Sequence, residues 1–238
     1  MLQLNRFQFK LLLAFLMVLD HIDFFVSDNL NILFKILSRC VAVGFAYLVV
    51  DGFLYTKNLK KYLLRLYGFA IFMLIGNHFF NALYAPYNIV IRNSIIMTYA
   101  IGLTMLFILS KVKKNFFIRF ICCFAMFYIS DFFEGGFIIL LFMYFSYIYH
   151  DDEKKRNIAY LIFSAVLFAL TLNFALQSKN PIIFMLKRCE FLFISIIPLL
   201  KIYNRKQGLN NAFSKYFFYI FYPVHLWIIN YINYIMVK

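Results

Sequence analysis

Three titratable side chains, Asp20, His21 and Asp23, interrupt the apolar run "LLLAFLMVLDHIDFFV" at residues 11–26. A charged group at the centre of a bilayer costs roughly 2.5–3.5 kcal/mol even on the mildest scale, so their presence points to chemistry rather than packing. An imidazole, with an ordinary pKa of about 6.5, exchanges protons near neutrality, and a neighbouring carboxylate can hold its tautomer. Lys10 stands eleven residues before His21. On an α-helix that separation is about 20° of rotation and about 16.5 Å of rise, which puts cation and imidazole on one face. The arrangement suits a long ligand with an anionic head and a reactive tail. Coenzyme A has that shape, with phosphates at one end and a thioester at the far end of the pantetheine arm. Lys10 would then pair with phosphate while His21 meets the acyl group. Asp20 lies about 100° round the helix from His21 and Asp23 farther still, so only one of them is expected to orient the imidazole directly.

Other polar groups in apolar runs need partners. Arg39, in the run over 33–54, is placed to neutralise Asp20 or Asp23, because an unpaired intramembrane charge is costly. Arg65 belongs to a basic stretch that would join Lys10 in holding CoA phosphates. His225, in "FYIFYPVHLWII", follows Pro223, whose missing N–H leaves a backbone carbonyl without its helical donor; it is read as substrate-facing. Cys40, Cys122, Cys123 and Cys189 lie inside apolar runs without ligand spacing, so they read as buried small hydrophobes and no metal is expected. There is no phosphate-binding GxxxxGK[ST] loop, no GxSxG elbow and no HExxH helix.

The elements that must position these groups follow from composition. The 238 residues are 64% hydrophobic and 22% aromatic, against about 45–50% apolar in soluble domains, so the solvent for the outer surface must be lipid. The expected fold is all-α, a polytopic transmembrane helix bundle forming one integral-membrane domain over 1–238. Apolar runs fall at about 9–26, 33–54, 63–83, 94–110, 115–130, 136–150, 157–176, 182–203 and 213–236, giving nine spans. The fifth and sixth are short and flank "SDFFEGG", which leaves full and re-entrant segments both open. The first run is expected to stay as an uncleaved anchor. Basic loops alternate with nearly base-free ones: Lys57, Lys60, Lys61 and Arg65, then Lys111, Lys113 and Lys114, then "DDEKKR", then Lys201, Arg205, Lys206 and Lys215. That alternation places the N-terminus in the cytoplasm and the C-terminus outside. It also absorbs the net charge of +14, leaving no basic stripe for nucleic acid.

With these residues in view, the chain resembles the TraX family of bacterial membrane proteins, named for the F-pilin acetylase. The resemblance runs through "MVLDHID", the Arg39 start of the second span, "VDGFLYTKNLKKYLLRL" and "KYFFYIFYPVHLWII". Lys10 and His21 also resemble, more distantly, the basic-x10-His pattern of membrane acyltransferases that O-acetylate bacterial surface sugars. The resemblance implies a multi-pass protein of the bacterial cell membrane that moves an acetyl group from cytoplasmic acetyl-CoA to an extracytoplasmic or membrane-embedded acceptor. Lys10, Asp20, His21 and Arg39 match the motif positions. Asp131 matches the Asp of an Asp-Tyr-Gly-x-x-Gly segment and Gly136 its last Gly, with Phe132 and Phe133 replacing the middle pair. Asp131, with Asp23 and His225, is assigned to the acceptor. The acceptor itself stays open between a pilin amine and a surface-glycan hydroxyl.

Two other readings compete. Asp/His clusters also serve as proton relays in transporters, although no paired, Gly/Pro-interrupted segments occur at matching places in two halves. A non-enzymatic assembly subunit would use the same polar cluster to hold helices together.

Overall fold

The computed structural model describes residues 3–92, 94–112, 115–209 and 211–238; Lys113 and Lys114 of the basic loop after Lys111 lie outside the described residues. The chain is all-helical, with no β-strand among the described residues. Its helices are α1 (Arg6–His21), α2 (Asp28–Tyr55), α3 (Leu59–Tyr84), α4 (Ile95–Lys111), α5 (Phe116–Ser130), α6 (Gly136–Ile148), α7 (Glu153–Ala175), α8 (Pro181–Lys187), α9 (Ile196–Ile202) and α10 (Ala212–Val237). Four are long and apolar enough to cross a membrane: α2, α3 with the 3₁₀ turn that carries it to Tyr87, α7 and α10.

Two segments differ from the sequence reading. The first apolar run forms only the 16-residue α1, about 24 Å long. A capping box starts it, with the Asn5 side chain accepting from Gln8 N and the Gln8 side chain accepting from Asn5 N, both at 3.0 Å. His21 is its last residue, because Ile22 leaves helical geometry and Asp23–Phe25 form a 3₁₀ turn. The imidazole therefore stands at a helix end rather than deep within a span. The run at 182–203 is not one helix. It breaks into α8, a 3₁₀ turn over Glu190–Ser195, and α9. Pro198 explains the restart: lacking an N–H, it cannot continue a helix through Ile194, yet it is tolerated in the first turn of α9. The broken backbone is partly satisfied by Ser164 Oγ, which donates to the Phe191 carbonyl at 2.7 Å, the condition under which irregular backbone persists in an apolar setting.

The chain divides into two compact units. Unit 1 comprises Met1–Phe45 and Tyr149–Phe218. In it, α7 packs against α8 and the 3₁₀ turn over Glu190–Ser195. The segment before α1 is tied by main-chain bonds to the one after α9: Leu4 N donates to Ile202 O at 2.7 Å, Asn204 N to Leu4 O at 3.0 Å, and Arg6 N to Lys206 O at 2.7 Å.

Unit 2 comprises Ala46–Ile148 and Tyr219–Lys238. α4 packs against α3, α5 and α6, and is buried almost all round from Ile95 to Leu106, which suits its uniformly apolar sequence. Polar pairs join its helices: Tyr67 Oη and Thr104 Oγ1 lie 2.8 Å apart, and Trp227 Nε1 donates to Asn77 Oδ1 at 2.9 Å. Along α5, Phe116, Phe120 and Phe124 stack in an exposed column. Such a face belongs in lipid.

Candidate functional site

The polar cluster of unit 1 is built where the end of α1 meets α2. Asp20 Oδ1 accepts from Arg39 Nη2 at 2.8 Å and from Ser38 Oγ at 2.7 Å. Arg39 Nε is used separately, donating back one turn to Lys35 O at 2.9 Å. The guanidinium is thus held at two points, and the ion pair is about three-quarters removed from solvent, with side-chain exposures of 22% and 27%. The expected neutralisation by Arg39 selects Asp20 rather than Asp23. Asp20, in turn, places both its hydrogen bonds on α2 rather than on the adjacent His21. The 100° offset between adjacent helical residues is the reason. Asp23 opens the 3₁₀ turn after α1 and is partly exposed.

Lys10 and His21 both lie on the uninterrupted α1, so their shared face is kept. Lys10 Nζ sits 5.1 Å from the centre of the Phe218 ring. The burial of Phe9, Leu13 and Met17 fixes how α1 is turned. Cys40 and Cys189 are buried, as expected of small hydrophobes; Cys122 and Cys123 are only partly so.

The remaining site residues lie in unit 2. Arg65 lies over the rings of Tyr62 and Tyr219, whose centres are 5.4 and 5.5 Å from its guanidinium carbon. His225 is buried, stacks on Phe221 at 5.0 Å, and has Nδ1 2.8 Å from the Phe221 carbonyl. A carbonyl only accepts, so Nδ1 carries a hydrogen. Asp131 ends α5, and its Oδ1 accepts from Phe137 N at 3.1 Å, capping the first turn of α6 across the intervening bend. Gly136 permits that bend: its φ is +39°, and a Cβ there would stand 2.7 Å from Asp131 Oδ1.

Sequence reasoning missed a heavily bonded carboxylate in unit 2. Glu134 Oε2 accepts from Tyr222 Oη at 2.7 Å and from Ser94 N at 3.0 Å. Its main chain is held as well, because Glu134 N donates to Ser94 Oγ at 3.3 Å and Thr98 Oγ1 donates to Glu134 O at 2.6 Å. The carboxylate sits at the N-terminus of α4, where the helix dipole favours negative charge. The available signal was an acid between Phe133 and Gly135.

Among the described residues no group of three His, Cys, Asp or Glu side chains is arranged to hold a metal ion. No curated protein and no solved structure matches the chain. The family model described as TraX protein matches residues 5–233, nearly the whole length, and the chain belongs to the TraX family.

Proposed function

We propose that this protein is a bacterial cell-membrane acetyltransferase that takes acetyl groups from cytoplasmic acetyl-CoA and passes them to an amine or hydroxyl at or beyond the membrane. The observation that carries the reading is Lys10 and His21 on one face of an unbroken α1 that ends at His21. A cation and a proton acceptor separated by about 16.5 Å along a rigid rod match a donor whose phosphates and thioester lie far apart.

In the proposed reaction the acceptor N–H or O–H attacks the thioester carbonyl. His21 removes the proton, the C–S bond breaks, and the CoA thiolate leaves and is reprotonated. Arg39, held by Asp20 and by the Lys35 carbonyl, supplies fixed positive charge for the oxyanion that develops on that carbonyl. Asp20 acts through Arg39 and is a positioning residue. In this reading the chain crosses the membrane nine times with its N-terminus in the cytoplasm, the eighth crossing being made by the broken α8–α9 segment. A pilin amine and a glycan hydroxyl both satisfy the chemistry.

The test is turnover of radiolabelled acetyl-CoA by purified protein in detergent, wild type beside His21→Ala. Release of CoA by the wild type, lost in a variant with unchanged melting, supports the reading. Neither binding nor turnover by the wild type sinks it and brings solute uptake in proteoliposomes forward as the next measurement.

A further inference from the structure

Arg65 carries a full charge on a membrane-crossing helix, yet among the described residues it has no carboxylate partner and no hydrogen bond. Its Nε is buried without an acceptor. Its charge-bearing end lies over two aromatic rings, Tyr62 and Tyr219. Tyr219 is itself backed by Phe69, stacked at 4.9 Å and 14° between ring planes. Tyr62 is seated close against α2, since a Cβ on Gly52 would lie 2.9 Å from its hydroxyl. Ring faces therefore neighbour the guanidinium and leave its N–H groups unspent.

That is an uncommon way to keep an arginine. A partly buried cation ordinarily needs an anion, whereas ring faces stabilise the charge and leave the donors unused. The nearby sequence adds positive charge, with Lys57, Lys60 and Lys61 one turn or two before Arg65. A planar donor fork with unspent N–H groups beside other cations matches the oxygens of a phosphate group.

We propose that Arg65, clamped by Tyr62 and Tyr219, is a phosphate-binding site, with the two tyrosines as positioning residues. The phosphate belongs either to the acyl donor of the proposed reaction or to an anionic lipid headgroup; the first source rests on the acetyltransferase reading and the second does not.

The experiment uses the full chain. Acetyl-CoA and S-acetylpantetheine, which has no phosphate, are titrated against wild type, Arg65→Lys, Tyr219→Leu and Tyr219→Phe in detergent. Retention of phosphatidylglycerol over phosphatidylcholine is followed for the same proteins by native mass spectrometry. Loss of a charge-assisted contact should weaken phosphate binding by about 10- to 100-fold in Arg65→Lys and Tyr219→Leu, with Tyr219→Phe near wild type because the ring face is kept. If acetyl-CoA affinity falls and that of S-acetylpantetheine does not, the donor is the source. If only phosphatidylglycerol retention falls, the lipid is the source. Wild-type values for both ligands in Arg65→Lys overturn the site. A wild type that ignores acetyl-CoA but holds phosphatidylglycerol through Arg65 sinks the acetyltransferase reading and leaves the clamp standing.

Discussion

Asp20 and Arg39 are joined through a single carboxylate oxygen, which Arg39 Nη2 approaches to 2.8 Å and which Ser38 Oγ shares at 2.7 Å. α1 is thereby fastened to α2 at the residue next to His21. Breaking the pair from either side should cost about 1.5–3 kcal/mol, the usual range for a hydrogen bond to a charged group. Asp20→Ala and Arg39→Ala combined should cost less than the sum of the two single changes, with a coupling of about 0.5–3 kcal/mol. Detergent melting curves of the four proteins decide this; strictly additive losses would mean that the contact contributes nothing.

Lys10 and His21 should fail differently. If Lys10 grips the donor's anionic end, Lys10→Ala raises KM for acetyl-CoA and leaves kcat largely intact. If His21 moves the proton, His21→Ala lowers kcat by about 10²- to 10⁴-fold with little change in KM. Steady-state kinetics separate the two, and an equal effect of both changes on kcat alone would count against a long ligand laid along α1.

Most of this architecture was legible in the sequence, and the exceptions have physical causes. α3, α7 and α10 fall within a few residues of the apolar runs at 63–83, 157–176 and 213–236, because a long apolar run in lipid has few alternatives to helix. α1 begins three residues before the apolar run at 9–26 and ends five residues before it does. The Asn5/Gln8 capping signature before the apolar run marks its start, and the polar "DHID" marks its end. The run at 182–203 looked continuous by hydropathy alone, and Pro198 was underweighted. In the site, the Arg39–Asp20 pairing was readable because a buried charge demands an opposite one. The Glu134–Tyr222 contact was not, since 88 residues separate its partners and no local pattern encodes such a meeting.

The bend between α5 and α6 makes its own prediction. Gly136→Ala introduces a side chain at positive φ and 2.7 Å from Asp131 Oδ1, which should destabilise by about 1–3 kcal/mol. Asp131→Asn keeps an acceptor for Phe137 N and should be milder than Asp131→Ala. Melting temperatures in that order support a capping role; loss of turnover in Asp131→Ala at wild-type stability would instead assign the side chain to the acceptor.

Acid sensitivity should be localised at the start of α7. Asp152 Oδ1 accepts from Lys155 N at 3.0 Å and its Oδ2 lies 3.1 Å from Lys155 Nζ. The Lys155 backbone N–H, first, and its ammonium, second, hold the carboxyl below its ordinary value. A depressed carboxyl stabilises the fold above its unfolded value of about 3.9 and stops doing so as pH falls through the lower, folded value. Asp152→Asn should therefore show a flatter fall in melting temperature below about pH 4 than the wild type. Superimposable curves would show that this cap does not contribute to acid stability.

The seam between Leu4 and the 202–206 segment has a different kind of consequence. Its bonds run from peptide group to peptide group, and every residue except proline offers the same amide. Side chains at Leu4 and Lys206 can therefore diverge among related chains while the base of α1 keeps its anchorage, whereas Asn204 Oδ1 also accepts from Lys206 N at 2.9 Å. The foot of the helix that bears Lys10 and His21 is specified chiefly by backbone register, with Asn204 the position where a side chain also takes part.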